Sequence, residues 1–256
     1  MIQGGFLPVL ILFIWERRVI MAKDTATEVL QTSAIGHIAF IMDGNGRWAK
    51  RRGMPREFGH KHGAEVFRKI MRRCVELDIK ASTYYVFSTE NWKRPQREVD
   101  AIISLLDKYL DDCFKELDEN DVRFIFIGDV SVFPDSVQKK MKKIEKLSEH
   151  KKFIVNLALN YGGRNEITNA VNSLIKEGKT ELSEDDISAA LYTKESPPLD
   201  LIVRTGGDLR ISNFLLWQAA YAEFYFTDKL WPDLVPDDVN KIVDNFTNRS
   251  RRFGGV

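Results

Sequence analysis

The sequence lacks any apolar run long enough to cross a bilayer. Its longest, FLPVLILFIW from Phe6 to Trp15, stops at Glu16-Arg17-Arg18, about half of the ~20 residues a spanning helix needs. The positive charges follow that stretch instead of preceding it, so it does not read as a secretory signal. Cysteine is scarce. Cys74 and Cys113 sit among apolar residues at helical spacing, too few for a disulfide framework or a zinc site, and a reduced, cytoplasmic setting follows. Net charge is nearly absent at +1, which excludes the global basic field of a nucleic-acid binder and leaves anion binding to local clusters. There is no internal repeat, low-complexity tract, long Gly/Ser linker or G-x-x-x-x-G-K-[ST] loop, and the last absence argues against an ATPase of that type.

What is present is an ordinary globular composition, 44% apolar and 29% charged over 256 residues, enough for one large α/β domain or two small ones. Residues 1–30 are set aside as an N-terminal extension, flexible or outside the core, and 31–256 as the domain. For residues 1–20 three readings stand: translation from an upstream start with Met21 as the true beginning, a membrane-surface anchor, or a flexible extension. No later motif depends on them.

Beyond the leader, short β-branched and aromatic runs alternate with longer segments of helical period. Strands are predicted at His37–Asp43, Ser82–Ser88, Val122–Gly128, Phe153–Asn160 and Leu199–Thr205, with a short sixth at Glu223–Phe226. Such runs suit a sheet covered on both faces. Between them, Val99, Ile102, Ile103, Leu106, Leu110, Phe114 and Leu117 form one amphipathic stripe, and Ala64, Phe67, Met71, Cys74 and Leu77 another. A third runs from Ile167 to Ile175 before Gly178, and Ser183 with Asp186 resembles a capping box. This alternation predicts an α/β fold: an open, largely parallel six-stranded sheet flanked by helices, with ligands outside the carboxyl ends of the strands.

Three polar clusters fall at predicted strand ends. The first is Asp43-Gly44-Asn45-Gly46-Arg47-Trp48-Ala49-Lys50, followed by Arg51, Arg52, Arg56, His60 and Lys61. Glycines let the backbone approach an anion, dense guanidinium groups grip phosphate oxygens, and Asp43 beside a phosphate makes sense with magnesium between them. An ordinary turn before a solvated basic helix also fits, as does the dinucleotide pattern G-x-G-x-x-A. The second cluster runs from Ser88 to Pro95 (STENWKRP); a helix-start loop explains part of it, but not Asn91 and Trp92 ahead of two basic residues. The third, Arg204-Thr205-Gly206-Gly207-Asp208-Leu209-Arg210-Ile211-Ser212-Asn213, is another anion cradle or a tight loop with surface arginines. Two arginine-and-glycine grips fit two diphosphates better than one. Glu223, just before Phe224-Tyr225-Phe226, is a second metal ligand or a solvated strand end.

At these residues the sequence closely resembles the cis-prenyltransferases. The matching text is HIAFIMDGNGRWAKRRG, FGHKHGAE, FSTENWKRPQREV, NYGGRNEI and RTGGDLRISNFLLWQAAYAEFYF, spread over nearly all of the chain beyond the leader. The resemblance implies transfer of isopentenyl units from isopentenyl diphosphate to an allylic diphosphate, usually farnesyl diphosphate, with cis stereochemistry. The expected product is a long polyprenyl diphosphate, most simply the undecaprenyl precursor of the cell-wall lipid carrier.

Carried over position by position, it assigns Asp43 and Asn91 as catalytic, with Asp43 presenting magnesium and Asn91 a candidate for assisting proton removal. Gly44, Asn45, Gly46 and Arg47 become the allylic phosphate cradle, assisted by Arg56 and His60, with Trp48 packed beside them. Ser88, Thr89, Glu90, Trp92 and Arg94 correspond to further substrate contacts, and Arg204, Arg210, Ile211 and Ser212 to the isopentenyl diphosphate site. Glu223 becomes the second metal-linked carboxylate. The last segment helps complete a neighbouring subunit's site, so a homodimer is implied, with peripheral contact at the inner face of the membrane and no span. The product would grow into an apolar tunnel, for which Tyr84, Val86, Ile102, Ile103, Leu106, Val155 and Leu157 are lining candidates. The aspartate-rich DDxxD pairs of trans-prenyltransferases are missing: Asp111-Asp112 and Asp237-Asp238 do not continue into that pattern.

Overall fold

The computed structural model describes residues 35–119 and 121–249; the extension expected over residues 1–30 and the final segment after residue 249 lie outside the described residues. Six strands form one wholly parallel sheet: β1 (His37–Ile41), β2 (Ala81–Ser88), β3 (Val122–Ile127), β4 (Phe153–Tyr161), β5 (Leu201–Arg204) and β6 (Glu223–Phe226), in the order β3-β4-β2-β1-β5-β6. All six predicted strands are therefore present.

Among the described residues there are seven α-helices: α1 (Asn45–Arg51), α2 (Arg56–Glu76), α3 (Gln96–Glu119), α4 (Asp135–Ser148), α5 (Gly163–Lys176), α6 (Glu184–Ala190) and α7 (Pro236–Thr247). Pro55 and Pro95 stand immediately before α2 and α3, where a missing amide costs nothing. Ser183 caps α6 by accepting from the Asp186 amide at 3.1 Å. None of these helices is long and apolar enough to cross a membrane.

The pleat sorts the core. Ile38 and Phe40 of β1 face the helices of one side, where Phe67 and Ile70 of α2, Leu106 and Leu110 of α3, Ile144 of α4 and Ile242 of α7 meet them. Ala39 and Ile41 face the other side, against Phe214, Leu215 and Ala222. The outer edge at β3 is closed by side chains of α4: the Phe124 amide donates to Ser148 Oγ (3.1 Å) and the Phe126 amide to Glu145 Oε1 (2.9 Å).

A chain of polar residues inside the sheet is hydrogen-bonded across three strands. His37 Nδ1 lies 3.0 Å from the Pro197 carbonyl, which can only accept, so Nδ1 carries the proton. Nε2 then accepts from the Thr83 hydroxyl at 2.7 Å, and Thr83 Oγ1 accepts from Asn156 Nδ2 at 2.9 Å. Burial pushes the His37 imidazole down to about 4.

The topology fixes where a ligand can sit. β1 leads through α1 and α2 to β2 on one side, whereas β5 leads to β6 on the other. The two connections cover opposite faces, so a crevice opens beyond the carboxyl ends of β1 and β5.

Candidate active site

The first and third sequence clusters meet in that crevice, and the second reaches it through Arg94. Register pairs Ile41 with Arg204, so Asp43, two residues beyond β1, faces the end of β5. Arg204 Nη2 donates to Asp43 Oδ2 at 2.9 Å and to Asp208 Oδ2 at 3.2 Å, while Nη1 donates to Ser212 Oγ at 2.9 Å and to the Arg210 carbonyl. This guanidinium is only 4% exposed; it binds the loop that follows β5 to the aspartate that follows β1. Arg47 approaches Asp43 from the opposite direction (Nη2 to Oδ1, 3.1 Å) and donates through Nη1 to the Gly206 carbonyl at 2.6 Å. Gly206 has φ +89°, and a Cβ there would stand 2.5 Å from Arg47 Nη2, so only glycine serves.

Burial works against ionisation of Asp43, but the hydrogen bonds from Arg204 and Arg47 outweigh it and hold the carboxyl below its ordinary value. Its main chain is pinned as well: the Asp43 carbonyl accepts from Thr205 Oγ1 (2.7 Å) and from the Trp231 amide (2.9 Å).

Around Asp43 lies an open basin of about 260 Å³ lined by Gly44, Asn45, Gly46, Arg47, Arg56, His60, Arg94 and Glu98. It shares Met42, Asn45 and His60 with a second, apolar cleft between the sheet and helices α2 and α3. Of the residues expected to line a tunnel, Val86, Ile102, Leu106 and Leu157 do so; Tyr84, Val155 and Ile103 pack in the core instead. Phe67, Tyr109 and Trp231 line the cleft without having been expected there. Asn45 Oδ1, at the junction, is buried and has no hydrogen-bond partner among the described residues, while its Nδ2 donates to the Met42 carbonyl at 3.1 Å.

The second cluster forms a single 3-10 turn, Thr89–Lys93, after β2. Asn91 Oδ1 accepts from the Ser88 amide at 3.1 Å, which leaves the Asn91 amide donors facing outward from that contact. Trp92 Nε1 donates to Asn160 Oδ1 (2.8 Å), and its ring meets Phe87 edge-on at 5.0 Å. Glu90 accepts from Asn213 Nδ2 at 3.2 Å. Asn213 also receives the Arg164 amide on its side-chain oxygen at 3.0 Å, so the turn after β2 and the loop after β5 are joined.

Other expected residues stand apart. Trp48 turns away from the basin: its indole donates to Asp233 Oδ1 at 2.7 Å and stacks on His62 at 4.8 Å. Arg210 is exposed and paired with Asp208 at 2.6 Å, and Ile211 packs against the second-face core. Glu223 opens β6 level with Leu201, three residues below Arg204, and accepts from Arg249 at 2.9 Å. It therefore sits about 10 Å below the end of β5 and two strands, ~5 Å each, from β1. Within one chain it does not join Asp43. Sequence reasoning missed Glu98, Asp208, Thr205 and Trp231. The first three stand inside or beside quoted motifs, but neither spacing nor residue type marks them; Trp231 carries no local signal.

The residues fit a magnesium ion in one respect. Asp43 offers a hard, part-exposed carboxylate beside a cationic basin, and this ion is commonly held by one or two carboxylates together with substrate phosphates.

Known proteins share this design. The sequence profile of the family described as "Putative undecaprenyl diphosphate synthase" matches residues 41–254. An isoprenyl transferase of Fusobacterium nucleatum is 48% identical over 86% of this chain and 96% of its own, and one of Clostridium perfringens 45% identical over 86% and 90%. Among solved structures, lavandulyl diphosphate synthase of Lavandula x intermedia, in complex with dimethylallyl diphosphate, superposes with a TM-score of 0.82 at 34% identity, covering 86% of this chain and 98% of that one. A "probable undecaprenyl diphosphate synthase" of Campylobacter jejuni gives 0.73 at 38% identity, covering 86% and 99%. With profile, sequence relatives and fold in agreement, the chain belongs to the cis-prenyltransferase family, that of the undecaprenyl diphosphate synthases.

Proposed function

We propose that the protein extends an allylic diphosphate, with farnesyl diphosphate as primer, by successive isopentenyl units to a long-chain polyprenyl diphosphate of the undecaprenyl type. One observation carries this reading: a cationic basin adjoins an apolar cleft, the two sharing Met42, Asn45 and His60 in their walls. An amphiphile with a charged head and a hydrocarbon tail fits that sequence of surfaces, and a dinucleotide does not.

In the reaction, the bond between C1 of the primer and its diphosphate oxygen breaks, and the electron pair leaves with the diphosphate. Arg47, Arg56 and Arg94, all on the basin, stabilise that charge. Asp43 would hold the magnesium that the family resemblance implies; bound there, the ion supplies further neutralisation of the leaving group. The double bond of isopentenyl diphosphate attacks C1, and loss of a proton from the adduct gives the new cis double bond. Arg204, Arg210 and Ser212 sit together at the neighbouring loop and suit the second diphosphate. Asn91, engaged through its oxygen, orients the reacting groups through its NH2; a neutral amide is a poor base unaided.

A homodimer accords with this reading. β6 is an edge strand, and Leu209 (77% exposed), Tyr221 (82%) and Phe224 (37%) present apolar surface on and around it. Glu223 could reach the magnesium at Asp43 only from a second copy. A water-insoluble product places the enzyme at the inner face of the membrane, touching lipid without spanning it.

The test is incubation with magnesium, farnesyl diphosphate and labelled isopentenyl diphosphate, followed by sizing of the extracted lipid. Long-chain label that disappears with EDTA and in Asp43→Ala supports the proposal. Condensation that stops after one unit would place the chain with short-chain synthases such as the lavandulyl relative. No labelled lipid from folded protein with several allylic primers would refute it.

A further inference from the structure

The basin holds a second carboxylate besides Asp43. Glu98, in the first turn of α3, has a side chain only 11% exposed. Its Oε2 accepts from Arg56 Nη1 at 3.0 Å and its Oε1 from Arg94 Nη1 at 3.1 Å, with His60 Nε2 at 3.7 Å from Oε1. Arg56 and His60 lie one turn apart at the start of α2, and Arg94 just precedes the proline that opens α3. One carboxylate on α3 thus gathers three groups that the sequence places on another helix and a loop.

An exposed ion pair would be worth little. Here the exposure is inverted: the acid is enclosed, whereas Arg56 is 64% and Arg94 37% exposed. Each arginine spends one terminal nitrogen on Glu98; their Nε and second terminal nitrogens make no other hydrogen bond among the described residues. Gly46 leaves the room that Arg56 needs, since a Cβ there would stand 3.0 Å from Arg56 Nε. Without an anion between them, the guanidinium groups would repel and separate.

We propose that Glu98 is a positioning residue for the head group of the primer, fixing Arg56 and Arg94 by one nitrogen each so that their remaining donors converge on one diphosphate. It acts through those arginines and does not touch the reacting carbons. The inference rests on the function proposed above and adds to it a residue that the sequence did not mark. Since isopentenyl diphosphate is assigned to the loop after β5, the effect of Glu98 is confined to one of the two substrates.

The decisive variant is Glu98→Gln, which keeps shape and removes charge, with Glu57→Gln as control because Glu57 pairs only loosely with Arg97 at 3.5 Å on the surface. Steady-state kinetics with each substrate varied in turn should show KM for farnesyl diphosphate raised about tenfold, KM for isopentenyl diphosphate changed less than about twofold, and kcat nearly retained. Binding of inorganic pyrophosphate with magnesium, followed by calorimetry, should weaken by a similar factor, and Glu57→Gln should match the parent in both. Should Glu98→Gln not fold, Glu98→Asp, which keeps the charge but withdraws it by one methylene, is measured in its place against the same criteria. An unchanged or lowered KM for the primer, or both KM values rising together with a fall in melting temperature, overturns the proposal. If the parent protein extends no primer, the proposed function fails, and the pyrophosphate arm by itself still decides whether Glu98 organises the anion site.

Discussion

Arg204 and Asp43, 161 positions apart, share a hydrogen-bonded ion pair of 2.9 Å at the junction of β1 and β5. The pairing exists because Ile41 and Arg204 are in register, and because the two strands lead away from each other across the sheet. The same guanidinium holds Asp208, Ser212 and the Arg210 carbonyl. One side chain therefore links the carboxylate at the basin to the loop proposed for the second diphosphate.

Replacing Asp43 by Asn should lower turnover by about a hundredfold or more, the scale for losing one charge-stabilising group, and should also lower the melting temperature, because buried Arg204 then keeps only one of its two carboxylate partners. Arg204 and Arg47 hold the carboxyl below its ordinary value against the effect of burial, so it is ionised at pH 5–6. Any loss of activity in the parent protein at pH 5–6 should consequently have another origin, and pH–rate profiles on parent and variant test both statements.

Arg204→Gln should destabilise the protein on the order of 2 kcal/mol, less than the ~3–5 kcal/mol typical of a fully buried pair because Asp43 and Asp208 keep some contact with water. The Asp43 carboxyl should move back up, and the acid limb of activity with it. Urea unfolding and the pH profile are the measurements; an unchanged midpoint would mean the fork is not a structural tie.

His37 predicts a pH dependence of stability in a defined window. Its imidazole titrates at about 4 in the folded protein against an ordinary 6.5. Between those values the unfolded chain binds a proton that the folded one refuses, so stability rises with pH across the window and is flat above it. The full effect is on the order of 3 kcal/mol. Urea midpoints from pH 5 to 7 should show the slope in the parent protein and a shallower one in His37→Asn.

Enlarging Ala64, which lines the cleft from α2, should shorten the product. Ala64→Phe places a ring in the cleft, and the lipid distribution should move to fewer isoprene units while the KM for isopentenyl diphosphate holds. Products of unchanged length would separate this cleft from chain growth.

Much of the fold is written locally. Each strand is a short β-branched or aromatic run and three of the predicted helices carry an apolar stripe, so periodicity places all six strands and α2, α3 and α5, while a capping box marks α6. α4 and α7 went unpredicted, although Val137, Met141 and Ile144 are spaced as a helix stripe between two strands. The glycine and arginine clusters were legible because phosphate chemistry needs those residue types close together. Trp48 was not: as a neighbour of Arg47 it belongs to the motif, but the helical turn carries it to the opposite side, onto His62 and Asp233.

By itself, then, the sequence determined the parallel sheet, the two phosphate-type loops and the family, since each depends on residues within about a dozen positions of one another. Only the tertiary structure decided that Arg204 belongs to Asp43, that Glu98 draws Arg56, Arg94 and His60 together, and that Glu223 lies at the amino end of β6, away from the basin. Those relations follow from strand register, strand direction and the approach of helices distant in the chain. Coulombic attraction and hydrogen bonding choose partners by distance in space, and no local pattern encodes that distance.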